Sequence, residues 1–202
     1  MNVFEITHSR TAQEISALET QLSRKVSQIV DWTFDHRARL VKPLLGYDSS
    51  AIALTFVPAA GEALNQDQAE SDWYSYHHLR RDICDLCMQT GVPITSRYTV
   101  PSAHLTVARF VSQSDYAGED GMPDPDRMRK WVAALEEIND WLRQEYWPKE
   151  NETIKSGGEW IVGEEKGLDH RRGTLWYGGG ETIMLGKGVS REKSQKDSEY
   201  MN

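Results

Sequence analysis

The segment Ser102–Phe110, with the sequence SAHLTVARF, carries a histidine and a threonine two residues apart. Its alternation predicts a strand, on which side chains two residues apart point to the same face. His104 and Thr106 would then share one face, and we expect Leu105 and Val107 to be buried on the other. Imidazole can accept or give a proton, and a hydroxyl can donate a hydrogen bond to an oxyanion. The segment is therefore a candidate anion site, with a solvated polar sheet face as the alternative interpretation.

Three helices are predicted around this strand. The first begins at a capping box of Thr11 and Glu14 and continues at helical spacing to about Val30. The second follows an apolar stripe that starts at Tyr76 and ends before Gly91. The third begins at Asp124, where a capping aspartate precedes a proline, and ends near residue 148.

Several short segments rich in strand-forming residues alternate with these helices. We predict strands at Met1–His8, at two segments within Arg39–Val57 joined by a turn at residues 46–49, and at Ile94–Tyr98, residues 102–110, Glu159–Val162, Thr174–Tyr177 and Thr182–Leu185. No G-x-G-x-x-G sequence indicates a dinucleotide-binding domain. The order predicts an α+β fold, with antiparallel sheets and helices on their outer faces.

Bulk composition restricts the classes of function. The 202 residues include seven Trp and eight Tyr, enough for a single domain over residues 1–189, followed by a polar tail over 190–202 that we expect to be disordered. A formal net charge of -8 argues against binding to long nucleic acid, yet leaves room for a local phosphate site. Because no signal peptide or membrane-spanning run is evident, we expect a cytoplasmic protein without a membrane partner. Cys84 and Cys87 share a helical face, which predicts buried or half-buried thiols rather than a metal or redox site, and no cofactor is expected.

The sequence His104-Leu105-Thr106, followed by Val107, resembles the 2H phosphoesterase superfamily, whose hallmark is an H-x-T or H-x-S motif on a strand. The likeness covers most of residues 3–188 and is to a fungal group described as RNA ligase/cyclic nucleotide phosphodiesterase-like. It is carried by the stretches RARLVKPLLGYDSSAIAL, YHHLRRDICDLC, VPSAHLTVARF and EWIVGEEKGLDHRRGTLWYGGGE. The resemblance implies two lobes of similar topology around a cleft, each lobe contributing one H-x-T motif.

The resemblance also implies a reaction and its residues. One histidine deprotonates a water that opens a 2′,3′-cyclic phosphate, the other protonates the leaving oxygen, and the hydroxyls bind phosphate oxygens without a metal. His104 and Thr106 would form one half of this site. Arg39, Lys42 and Tyr98 are the candidates to bind the substrate, with solvation at the surface as the alternative for the two basic residues. The first lobe lacks its H-x-T motif and its N-terminal strand, so the chain is either a shortened member or uses another histidine. His8 and His36 are the first candidates, ahead of three others that fit solvated or loop positions: His77, His78 and His170.

We therefore expect a 2H-type protein that acts on or binds a cyclic nucleotide, an RNA end or another small phosphodiester, with reduced activity. A non-catalytic relative that binds a ligand or a partner protein is the first alternative, and an enzyme of small-molecule metabolism using the same cleft is the second. The missing motif favours the non-catalytic relative, whereas the intact motif at His104 favours the phosphodiesterase. The oligomeric state is left open by the sequence.

Overall fold

The computed structural model describes residues 1–63, 69–95, 103–150, 152–174 and 179–189. Within these ranges the protein is an α+β structure, as the sequence predicted, with four α-helices and antiparallel sheets. Its described residues form two compact units. One unit is drawn from Met1 and the described residues of 40–69 and 102–160, and the other from the described residues of 2–39, 70–101 and 161–202. Tyr98 and the tail from residue 190 lie outside the described residues.

Strands β1 to β4 form a sheet with the order β3-β2-β1-β4, and their bounds are Ala38–Tyr47, Ala51–Pro58, Ala103–Arg109 and Glu159–Val162. The predicted hairpin within residues 39–57 is confirmed. Its turn forms because the Asp48 carboxylate accepts hydrogen bonds from the backbone N–H groups of Ser50 and Ala51, at 2.7 and 2.9 Å. An aspartate at this position offers the backbone an internal partner, which is why the chain reverses here.

A β-bulge interrupts the pairing of β2 with β3. Ala53 lies opposite Thr106, but the preceding Ile52 lies opposite Ala108, so Val107 is an extra residue on β3. A bulge breaks the two-residue alternation of faces and leaves the extra residue without a partner. Val107 is accordingly 58% exposed. The prediction that Val107 is buried was therefore wrong, and Leu105 is half-buried rather than buried.

Helix α4, Pro125–Tyr146, belongs to the first unit and contacts strand β1. Asp124 caps its first turn and Pro125 stands at its start, as the sequence predicted. Asn139 is buried and joins the helix to β1, because its side-chain amide accepts from the Leu45 N–H at 2.7 Å and donates to the Leu45 carbonyl at 3.1 Å. Trp131 adds edge-on ring contacts with Tyr47, Phe110 and Tyr116.

The second unit contains three helices and a two-stranded sheet: α1 Ala12–Leu22, α2 Val26–Asp35, α3 Tyr76–Met88, β5 Asp169–Arg172 and β6 Glu181–Leu185. One continuous first helix to Val30 was predicted, and this was wrong. The helical ladder stops at Ser23, and Lys25 has ψ near 0° with its N–H bonded to the Leu22 carbonyl three residues back. Apolar spacing continues from Leu22 to Val26 across the break, so periodicity alone does not reveal it.

The N-terminal segment Met1–His8 is not a strand, contrary to the prediction. Single hydrogen bonds hold it to its unit: the Tyr76 hydroxyl donates to the Asn2 carbonyl at 3.1 Å, and the Arg80 guanidinium donates to the Val3 carbonyl at 3.0 Å. Strand-forming side chains give a strand only where a neighbouring strand pairs with them. Further along, Thr174 is not in a strand, whereas residues 175–178 lie outside the described residues. His170, expected in a loop, lies on β5.

The two cysteines lie on α3, one turn apart, and both are free thiols. Cys84 is half-buried and Cys87 is buried, as predicted from the helical spacing. Burial raises the pKa of Cys87 to about 12, so this thiol is protonated and unreactive at neutral pH. Gly91 follows the helix with φ +83°, the left-handed conformation expected of a glycine beyond a helix end. None of the described helices is both long enough and apolar enough to cross a membrane.

Candidate functional site

The H-x-T motif lies on β3 in the first unit. His104 is opposite Thr55 of β2, and Thr106 is opposite Ala53. Because Ala53 and Thr55 are two residues apart on one strand, His104 and Thr106 share a face of the sheet. His104 is half-buried and Thr106 is exposed.

Small residues surround the Thr106 position across the sheet. The cross-strand row through Thr106 continues to Ala53 on β2 and to Gly46 on β1. Neither neighbour in the row carries a side chain larger than a methyl group, so the exposed hydroxyl has open space beside it. In the adjacent row the Thr55 hydroxyl is occupied, since it donates to the Leu44 carbonyl at 2.9 Å. The arrangement therefore presents one imidazole and one accessible hydroxyl on the same face of the sheet, where they could bind an anion.

Lys42, expected to bind substrate, also lies in the first unit but already has an anionic partner. Its Nζ is 2.6 Å from Oε1 of Glu62, and both side chains are half-buried. Burial raises the pKa of Glu62, but hydrogen bonds from Lys42 and from the backbone N–H of Ala60 outweigh it and hold the pKa below its ordinary value. The carboxylate is thus charged at neutral pH, and a phosphate would have to compete with it for Lys42.

Arg39, the other basic residue expected to bind substrate, lies in the second unit and forms a buried ion pair. Its Nε and one terminal nitrogen contact the two oxygens of Asp72, at 3.1 and 2.6 Å. The two side chains are only 8% and 4% exposed. This forked pair occupies the edge of the guanidinium, formed by Nε and one terminal nitrogen, that could otherwise donate to a phosphate. Arg39 therefore has a structural role in the second unit.

The two candidate second histidines, His8 and His36, also belong to the second unit. His8 is exposed, and its Nδ1 lies 3.1 Å from the hydroxyl of Ser9. His36 stacks on Trp32, with ring centroids 4.0 Å apart and planes within 5°. Its Nδ1 lies 3.1 Å from the Trp32 carbonyl, so one ring nitrogen is held by the backbone. The predicted site residues are thus divided between the units, with His104, Thr106 and Lys42 in the first.

His36 and Arg39 line a cleft of about 400 Å³ within the second unit. The other lining residues are Asp35, Arg37, Ser71, Asp72, Trp73, Tyr74 and Ile161. Trp73 and Tyr74 were not among the predicted site residues, although the run DWYSYHH concentrates aromatic residues before a predicted helix. This composition was the signal that could have identified the cleft.

Hydrogen bonds fix the aromatic wall of this cleft. The Tyr74 hydroxyl accepts from the indole N–H of Trp32 at 3.0 Å and donates to Asp82 at 2.8 Å. Burial raises the pKa of Tyr74 well above its ordinary value, so the phenol stays neutral. Burial also raises the pKa of Asp82, but hydrogen bonds from Arg81 and Tyr74 prevail and lower it overall. These hydrogen bonds hold the Tyr74 side chain in place. Neither the Tyr74 phenol nor the Asp82 carboxyl titrates near neutral pH.

Among the residues that the structure describes, no three His, Cys, Asp or Glu side chains are grouped so that they could hold a metal ion. Comparison of the chain with protein-family models, curated proteins and solved structures found no match. The His104 face and its H-x-T motif are therefore the features of this chain from which a function can be inferred.

Proposed function

We propose that the protein is a 2H-type phosphodiesterase-like protein that binds a small phosphodiester on the face formed by His104 and Thr106. The ligand class is a 2′,3′-cyclic nucleotide, an RNA end or a related small phosphodiester. The observation that carries the proposal is the shared face of the two side chains beside the small residues Ala53 and Gly46. The Thr106 hydroxyl donates to a non-bridging phosphate oxygen, and His104 exchanges a proton with an oxygen of the reacting ester.

We expect slow turnover because the chain contains one H-x-T motif, whereas the two-histidine reaction uses two. Hydrolysis of a cyclic phosphate needs one group to deprotonate water and another to protonate the leaving oxygen. The chain contains a single H-x-T motif, at His104. General acid or base catalysis is worth roughly 10²–10⁴-fold for each positioned group. A protein with one such group at the phosphate therefore retains binding but loses most of the rate.

A non-catalytic relative that binds the same ligand or a partner protein is the second candidate, and the single motif favours it. An enzyme of small-molecule metabolism that uses the same face for different chemistry is the third. Turnover of a cyclic phosphate distinguishes the first candidate from the other two, and phosphodiester binding distinguishes a ligand-binding protein from one that binds only a partner.

The test combines hydrolysis of 2′,3′-cyclic nucleotides and of short RNAs with cyclic ends, and calorimetric titration with the same ligands. We expect slow hydrolysis that His104→Gln abolishes and weak binding that Thr106→Val reduces further. Matched controls are His77→Gln and Thr20→Val, which alter exposed side chains on α3 and α1. Both should behave like the unaltered protein.

Each other outcome rejects a part of the proposal. Fast hydrolysis would show that a second catalytic group completes the site, and His8→Gln and His36→Gln would then identify it. Binding without any hydrolysis would support the non-catalytic candidate. Neither binding nor hydrolysis by a folded protein would refute the phosphodiester site altogether.

A further inference from the structure

The cleft in the second unit has a rigid polar base. Arg39 and Asp72 form an ion pair there that is almost fully buried. Asp72 belongs to a short 3₁₀ helix, Glu70–Trp73, so the ion pair fixes the segment that carries Trp73.

Trp73 is the exposed member of the aromatic wall. Its side chain lines the cleft, yet the residue is 72% exposed, the highest value among the large aromatic residues that the structure describes. Its ring contacts Tyr74 edge-on at 6.0 Å between centroids and His78 at 5.5 Å. These contacts orient the indole while most of its surface stays in water. Burying this surface beneath a planar ligand would be favourable.

Charge in the cleft argues against a simple anion site. Arg39 is neutralised by Asp72, which leaves Asp35 and Arg37 as the exposed charged residues of the lining. Their charges are opposite, so the cleft has no strong preference for a charged ligand. The Asp35 carboxylate instead offers hydrogen-bond acceptors, and the Arg37 guanidinium, which donates from one terminal nitrogen to the Phe34 carbonyl at 2.9 Å, keeps further N–H donors. This combination suits the edge of a heterocycle that carries both donors and acceptors.

We infer that the cleft binds a nucleobase, stacked on Trp73 with its polar edge at Asp35 and Arg37. A volume of about 400 Å³ lies within the range of sites for small organic ligands. Aromatic side chains bind bases of any sequence because every base has a π-face. The inference does not depend on the proposed function, because it concerns a ligand without phosphate and residues of the other unit.

The test uses uncharged nucleosides. Adenosine and cytidine are titrated into the protein of 202 residues while the indole N–H signals are followed by NMR, with ribose as the probe that lacks a base. The Trp73 signal is assigned from its loss in Trp73→Phe. We expect this signal to shift with either nucleoside and not with ribose. Trp73→Ala should weaken binding roughly 5- to 150-fold, the range of base stacking on an aromatic side chain, and Trp73→Phe should weaken it less.

Trp141→Ala is the matched control, because Trp141 is also exposed, at 51%, but lies on α4 of the first unit. It should leave nucleoside binding unchanged. Urea unfolding of each variant confirms that the fold is intact. Failure of both nucleosides to bind at millimolar concentration would overturn the inference, as would equal losses in Trp73→Ala and Trp141→Ala. Loss of nucleoside binding in His104→Gln but not in Trp73→Ala would place the base in the other unit and overturn it as well.

Discussion

At the scale of single residues, the two basic side chains expected to bind substrate each form an ion pair, and the two pairs differ in burial and in the free energy lost when they are broken. Breaking a buried pair such as Arg39 with Asp72 by removing one partner typically costs about 3–5 kcal/mol, because a charge is left buried and uncompensated. A half-exposed pair such as Lys42 with Glu62 is worth about 1 kcal/mol or less. Lys42 can therefore be recruited by a ligand at modest cost, whereas Arg39 cannot.

His170 is the residue whose surroundings make stability depend on pH. Its Nδ1 is buried without a hydrogen-bond partner, as is Oε1 of Glu19. Burial lowers the pKa of His170 below the ordinary 6.5; Glu19 and Asp169 oppose this shift, and Arg172 adds to it. Below pH 6.5 the unfolded chain takes up a proton that the folded protein resists. Stability is thus lost as pH falls through this window, and the loss levels off below the folded-state pKa.

We therefore predict that His170→Asn reduces the acid sensitivity of folding. The measurement is the free energy of urea unfolding at several values between about pH 7.5 and 5.5, a window above the range in which carboxylates titrate. The unaltered protein should lose stability across this window, and the variant should lose less. His77→Gln, at an exposed position, should keep the full slope. An identical slope in His170→Asn and the unaltered protein would contradict the assignment.

At the scale of elements, the start of α1 depends on a reciprocal cap. The Thr11 hydroxyl accepts from the Glu14 N–H at 3.3 Å, and the Glu14 carboxylate accepts from the Thr11 N–H at 2.8 Å. The Thr11 hydroxyl also donates to the Glu14 carboxylate, at 2.9 Å. The hydrogen bonds that this carboxylate accepts from the Thr11 N–H and from the hydroxyl lower the pKa of Glu14. We predict that Thr11→Ala lowers the free energy of unfolding by about 1 kcal/mol.

Thr20→Ala is the control for this cap, since the Thr20 hydroxyl donates to the Ser16 carbonyl within the same helix at 2.9 Å. Alanine has the higher helix propensity, so this substitution should cause no loss of stability. Unchanged thermal and urea midpoints in Thr11→Ala would show that the cap contributes nothing.

Elements fixed by local chemistry were predicted from the sequence, whereas those fixed by distant partners were not. The caps at Thr11 and Asp124 and the turn at Asp48 each form from residues within three positions of one another. The bulge at Val107 depends instead on the register against β2, a strand about fifty residues earlier in the chain. Alternation within one segment contains no information about such a register.

In the candidate site, too, features set by nearby residues could be predicted, whereas those set by distant partners could not. A shared face for His104 and Thr106 follows from the two-residue period of a strand, so it could be predicted from the motif alone. The partner of Arg39 could not, because Asp72 lies 33 positions away and residue type does not reveal which charges meet. Trp73 and Tyr74 were missed because aromatic residues before a helix more often pack in a core than line a cleft.

At the scale of the whole molecule, charge limits the size of the nucleic acid that can bind. The chain has 31 acidic and 23 basic residues, a net charge of -8, so a long RNA meets repulsion away from its contact site. In the described part, Arg39, Lys42, Arg81, Arg143 and Arg172 all contact carboxylates. These five cations are thus already paired and less available to track a phosphate backbone.

We therefore predict that a single-stranded RNA of about 30 nucleotides ending in a 2′,3′-cyclic phosphate binds no more tightly than a dinucleotide with the same end. Each neutralised phosphate of a single strand contributes about -0.7 to the slope of log affinity against log salt concentration. Binding through one phosphate at His104 and Thr106 should give a slope of about -1 or shallower for both RNAs. The measurement is fluorescence anisotropy of labelled RNAs over a series of salt concentrations, with Thr106→Val as the variant that removes the phosphate contact. A slope of about -3 or steeper for the longer RNA would correspond to four or more phosphate contacts, and would show a basic surface that the net charge conceals.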